Sequence, residues 1–204
     1  MCADRQARGF SLIELLMVVG MTAVIGAIAV PMMSNTMKNF KIVGDARSLS
    51  SAVSLAKLRA ASQFTQARVY IDRDAGTFRV ESWRKTGVPA WVTDQAATPL
   101  SSGVAFGYGV VGAPPASTQA AIDQAPACVD AAGAAIGNTS CILFNSRGIP
   151  VDAAGAPPNV GGPTGNDALY ISDGGAVFGL TVSATGLSRV WRTGAHSTPT
   201  WVQQ

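Results

Sequence analysis

Hydrophobic positions are spread unevenly along this chain. From Phe10 to Met33 the side chains are almost all apolar, and Glu14 is the only ionisable one among them. About 20 apolar residues at ~1.5 Å rise cover the ~30 Å hydrocarbon core of a bilayer, so the run predicts a membrane-spanning helix. Arg5 and Arg8 stand ahead of it and favour a cytoplasmic amino end. A carboxylate at that depth costs roughly 2.5–3.5 kcal/mol on insertion scales, which sets Glu14 apart.

The apolar period then changes. Phe40, Val43, Ala46 or Arg47, Ser50, Val53, Ala56 or Lys57, and Ala60 recur at three-to-four spacing, widened by Leu49 and Ala52. Lys38, Lys41, Asp45, Arg47, Lys57 and Arg59 mark the wetter side. The pattern predicts that residues 34–63 continue the helix in amphipathic form and pack on a sheet at their end. Pro31 removes one backbone hydrogen bond inside this helix. Two readings of it stay open: a bend where the helix loosens, or a proline merely tolerated in a membrane. Gly20 and Gly26 lower helix stability further.

Past residue 63 the pattern turns to alternation. Residues 67–72 and 77–83 read as strands, and Asp74-Ala75-Gly76 between them reads as a hairpin turn. Asp72 to Gly76 faintly matches the start of a calcium loop, but the later glutamate ligand is missing, so turn chemistry is preferred. Residues 104–106 and 141–144 predict short strands, with Asn145 to Gly148 a turn. After a loop to about residue 165, strands are expected at 168–171, 177–182 and 187–192. The last two form a hairpin through Ala184-Thr185-Gly186, and a tail ends in Thr200-Trp201-Val202. Residues 107–140, rich in Gly, Ala and Pro, predict a long surface loop. It contains a formal glycosylation sequon, Asn138-Thr139-Ser140, which carries little weight here.

The stretch Arg8-Gly9-Phe10-Ser11-Leu12-Ile13-Glu14, with an apolar helix behind it, resembles the amino-terminal signature of type IV prepilins and type II secretion pseudopilins. The resemblance implies a leader peptide, Met1–Gly9, that a prepilin peptidase removes by cutting between Gly9 and Phe10. It also implies methylation of the new amine at Phe10. Glu14 of one subunit would then neutralise the Phe10 amine of a neighbour within an apolar filament core, setting the axial stagger. Pro31 would give the helix its flexibility within the filament. Two rival readings are a simple membrane anchor and a secretory signal peptide with a small-residue cleavage site at Ala27-Ile28-Ala29. An anchor does not need Glu14. A signal peptide's apolar region is usually only about 7–15 residues long.

The carboxy half resembles, more loosely, the H-type pseudopilin and T/U-type minor pilin (GspH/FimT) group. The matching features are Phe144 followed by Gly148 at a strand-turn, and a final hairpin with Gly186, Arg189 and Arg192 in a Gly-x-x-Arg-x-x-Arg array. The implied fold class is α+β: a long amino-terminal helix packed on a small carboxy-terminal antiparallel β domain, residues 64–204, built as two small sheets. The long loop at 107–140 departs from compact versions of that fold. The implied location is the bacterial inner membrane, single-pass, with the β domain periplasmic until assembly. Partners would be other pilins or pseudopilins, the prepilin peptidase and an inner-membrane assembly platform.

Composition adds three points. In 204 residues, 13% are charged and the formal net charge is +3, too mild to imply a nucleic-acid partner. Cys2 leaves with the leader, so Cys128 and Cys141 remain as an even pair in an exported domain, and a disulfide is expected. Catalytic patterns are not found: there is no phosphate loop with lysine and no zinc spacing, and His196 has no nearby ligand partner. Ser54 and Lys57 match a Ser-x-x-Lys motif that lacks its companions. The chain therefore reads as a non-enzyme without cofactor or metal. It would be a subunit that primes or caps a filament of a type IV pilus or type II secretion system. An alternative is a DNA-binding minor pilin using Arg189, Arg192, Trp191 and Trp201, since arginine binds phosphate and indole stacks on bases. In a regular strand, however, positions 189 and 192 point to opposite faces.

Overall fold

The structure, a computed structural model, describes residues 10–155, 157 and 161–204. One helix, α1 (Leu12–Ser62), is followed by antiparallel strands, so the chain is α+β with an apolar amino-terminal helix. It divides into two compact units, Met1–Phe40 and Lys41–Gln204.

In the first unit the helix starts with a cap. The Glu14 amide donates to the Ser11 hydroxyl (3.2 Å) and to the Ser11 carbonyl (3.1 Å), which satisfies a donor that a helix end leaves open. The window Leu12–Ala29 has a mean hydropathy of 2.3 and none of it is buried. Helical backbone continues through position 31. A helix this apolar needs a non-aqueous surrounding; by length and composition it suits a membrane anchor or a signal sequence.

In the second unit the helix packs Ile42, Ala46, Leu49, Val53, Ala56 and Ala60 into the core. This stripe keeps the expected Ala46, Leu49, Val53, Ala56 and Ala60, adds Ile42, and leaves Ser50 only half-buried. Phe40 is 66% exposed, whereas Asp45 is buried and accepts from the Ser101 amide (2.9 Å) and hydroxyl (3.0 Å). Small residues Ala46, Ala56 and Ala60, part of the expected stripe, let the sheets approach the helix closely.

Two antiparallel sheets face this stripe. The first contains β1 (Ala67–Asp72), β2 (Thr77–Arg84), β3 (Ala90–Thr93), β4 (Thr98–Pro99), β6 (Thr139–Phe144) and β7 (Pro150–Val151), in the order β3-β2-β1-β6-β7 with β4 beside β2. The second contains β5 (Ala105–Phe106), β8 (Asp167–Ser172), β9 (Ala176–Val182), β10 (Ser188–Gly194) and β11 (Val202–Gln203), in the order β11-β10-β9-β8-β5. The hairpin turn after β1 is closed by Asp72, whose carboxylate accepts from the amides of Asp74 and Ala75. Gly76 follows at φ 62°, a conformation that glycine adopts at little cost. Val69, Ile71 and Ile142 from the first sheet meet Leu169, Phe178 and Leu180 from the second in one core. Strands β3, β4, β7 and β11 lie outside the elements expected from the pattern. Each is only two to four residues long, so its sequence carries little alternation.

The stretch at 107–140 is not a loose surface loop. Its first part runs along the β8 edge of the second sheet: the Gln124 side chain donates to the Tyr170 carbonyl (2.9 Å) and accepts from the Tyr170 amide (3.0 Å), and the Ala125 amide bonds the Ala168 carbonyl (2.7 Å). Val111 packs there with Tyr170 and Val177. Its second part covers the outer face of the first sheet, where Cys128, Cys141 and Tyr70 form a separate cluster. Its last two residues, Thr139 and Ser140, already belong to β6.

Candidate functional site

The residues expected to act lie in four places. Gly9 lies outside the described residues. Phe10, the first described residue, is 82% exposed, and Glu14 stands exposed in the first turn of α1. Large apolar side chains such as Leu16, Met17, Ile25 and Ile28 are also more than half exposed. Ser11 and Glu14 occupy the positions of a capping box, a Ser-x-x-Glu signal legible in the sequence. An acidic residue there also complements the positive end of the helix. The position of Glu14 thus has a local rationale as well as any role between subunits.

Cys128 and Cys141 are joined as a disulfide, with Cα atoms 5.0 Å apart and both residues buried. Arg68 works beside it. This arginine sits mid-strand in β1 and is 4% exposed. It forms an ion pair with Glu81 (2.6 Å), donates to the Val129 carbonyl (2.5 Å), and lies 3.9 Å from the centre of the Trp91 ring. Arg79 also pairs with Glu81 (2.7 Å) and sits 4.0 Å over the Tyr70 ring. Burial pulls the Arg68 guanidinium below the usual arginine range, against the opposing pull of Glu81. The signal for this pair was in the hairpin: a turn at Asp74-Ala75-Gly76 places Arg68 opposite Glu81.

The two carboxy-half glycines converge. A Cβ on Gly148 would lie 3.2 Å from the Lys57 stem, and one on Gly186 would lie 2.6 Å from the Gly148 carbonyl oxygen. Lys57 Nζ donates to the Gly186 carbonyl (3.0 Å) and lies 3.4 Å from the Thr185 carbonyl. Lysine 57, assigned to the wet side of the helix, therefore secures the β9–β10 turn. Ser54 bonds back to the Ser50 carbonyl (3.0 Å), so the Ser-x-x-Lys pair is engaged elsewhere.

On the last hairpin, register places Trp191 beside Gly179 and Arg192 beside Phe178. Arg189 and Trp191 therefore face outward with Tyr170. Arg192 faces the other way, its guanidinium 5.7 Å from the Phe178 ring. The Trp191 indole donates to the Thr181 hydroxyl (3.0 Å), and the Trp201 indole donates to the Ala113 carbonyl (2.9 Å). Trp201 also packs near Tyr170, ring centres 5.9 Å apart. Tyr170 sits over Gly179, where a Cβ would fall 2.7 Å from its ring. Burial, with Asp123 and Tyr108 adding to it, raises the Tyr170 hydroxyl above the ordinary tyrosine range. His196 is exposed and folds back on Gly194. Both indole N–H groups are engaged, and the two arginines lie on opposite faces of β10.

No family model matches the chain, and no curated protein or solved structure matches it.

Proposed function

We propose that this chain is a type IV pilin-like subunit, a minor pilin or an H-type pseudopilin, with the pilin fold of that group. A peptidase cuts between Gly9 and Phe10, and the helix holds the subunit in the bacterial inner membrane with the β domain outside the cytoplasm. Extraction into a filament then buries the helix among those of its neighbours. The observation that carries this reading is the helix itself: it begins at Leu12, bears Glu14 as its single ionisable residue up to Met33, and leaves its large apolar side chains uncovered. In a filament the Phe10 amine of one copy pairs with Glu14 of another. A buried charge left unpaired is costly, so this pairing selects one stagger.

DNA capture is the weaker reading. Arg189 and Arg192 stand on opposite faces of a regular strand, and both nearby indoles are held by hydrogen bonds.

Intact mass and amino-terminal sequencing of the protein from its native membrane test the proposal. A start at methylated Phe10 supports it. A start at Met1 indicates an unprocessed anchor and a start at Val30 a secreted domain, and either outcome removes the filament reading.

A further inference from the structure

Asp167 opens β8, and the strand period places its side chain on the same side as Leu169 and Ile171, which lie in the core. The residue is 8% exposed, and its carboxylate has no hydrogen-bond or ion-pair partner among the described residues. Buried polar groups are normally paired, and a buried carboxylate left alone is costly. The charge that bears on Asp167 is a second carboxylate, Asp152, which together with burial holds its carboxyl above the ordinary range. No lysine or arginine offsets this.

Asp152 is exposed and directly follows β7 of the first sheet. A small hairpin fixes its backbone. The Asp152 amide donates to the Gly162 carbonyl (3.0 Å), the Gly161 amide donates to the Asp152 carbonyl (3.2 Å), and the Thr164 amide donates to the Pro150 carbonyl (3.0 Å). A Cβ on Gly161 would fall 2.7 Å from the Asp152 Cβ and 3.3 Å from its Oδ2, so glycine leaves the carboxylate its room. Residues 153–166, which join the two acids, carry no charged side chain. The chain thus brings one carboxylate from each sheet together and supplies no cation of its own.

We propose that Asp152 and Asp167 form a calcium site, in which the bound ion bridges the first sheet to the second. A hard divalent cation neutralises two facing carboxylates and takes oxygen ligands. No third His, Cys, Asp or Glu joins the pair among the described residues, so the nitrogen and sulfur ligands that favour transition metals are missing. Water completes the shell. Calcium suits the site better than magnesium because its geometry is flexible enough for a glycine-rich segment. So few protein ligands set the affinity in the weak range, about 10⁻⁴–10⁻³ M.

The test compares unfolding temperatures of the full chain in detergent micelles near neutral pH, in chelator and in about 5 mM calcium. Calcium is expected to raise the unfolding temperature by about 3–8 °C. It also slows amide exchange at Asp152, Gly161 and Thr164, the donors that hold the hairpin. Asp167→Asn and Asp152→Asn abolish the shift. In chelator neither variant unfolds below the parent, because each removes one of two like charges. No shift with calcium, an equal shift with magnesium or with sodium chloride at matched ionic strength, or a shift that survives in either variant overturns the proposal. Stabilisation by lowering the pH without any response to calcium marks a proton as the sole occupant and overturns it too.

Discussion

Lys57 and Gly186 are joined across 129 positions of sequence: the lysine ammonium donates to the glycine carbonyl at 3.0 Å. The contact ties the helix to the β9–β10 turn, and Gly148 closes over it. Gly186 has φ 73° and no room for a side chain. Gly186→Ala is therefore expected to destabilise the β domain by more than 2 kcal/mol, on the order of combined backbone strain and overpacking. Lys57→Met keeps the stem and loses the hydrogen bonds, at about 1 kcal/mol. Urea unfolding of the detergent-solubilised chain followed by tryptophan fluorescence measures both, and equal losses would contradict the arrangement.

The disulfide between Cys128 and Cys141 spans 13 positions and pins the cover on the first sheet. In the chain-entropy picture a loop of this size contributes about 3 kcal/mol. The Cys128→Ser, Cys141→Ser pair is expected to lose that amount and to raise amide exchange first in residues 126–138. Uniform loss of protection across both sheets would show that the cover is not a separable part.

Glu81 carries two arginines, and the burial of each decides the outcome of its removal. Glu81→Ala strands the buried Arg68 guanidinium, a change expected to cost about 3–5 kcal/mol. Arg68→Met leaves Glu81 still paired with Arg79 at 2.7 Å and retains apolar bulk against Trp91, so it is expected to cost less. Unfolding midpoints that rank the two variants in the opposite order would refute this account.

Asp167 predicts a pH dependence. Burial, with the negative charge of Asp152 nearby, pushes its carboxyl up from 3.8 to about 6. The folded state therefore holds this proton more tightly than the unfolded state does. Its relative stabilisation is fully present below about pH 4 and is lost as pH rises to about 6. Two pH units correspond to an effect on the order of 2–3 kcal/mol. Asp167→Asn is expected to flatten that part of the stability–pH curve and to stabilise the domain at pH 7. A curve with unchanged slope between pH 4 and 6 would exclude Asp167 as its source.

The local elements were readable because each rests on short-range chemistry. The apolar run to Met33 shows directly in composition. The β1–β2 hairpin follows from alternation and an Asp-Ala-Gly turn, and its register set Arg68 opposite Glu81. The opposed directions of Arg189 and Arg192 follow from the twofold period of a strand.

Other features depend on contacts between distant residues. Leu49 and Leu58 are the same residue type on one helix, yet only Leu49 lies under the sheets, because which side of a helix is buried depends on where its cover lies. Lysine 57 resembles any solvated helix residue until the Gly186 turn reaches it. Residues 107–138 have weak local preferences, and turns such as the one Asp130 closes are held in place by contacts from outside the segment. Gln124 bonds the Tyr170 backbone, Arg68 bonds Val129, and the disulfide closes the far end. Periodicity reports what one segment can bury, whereas the folded chain chooses which segment buries it.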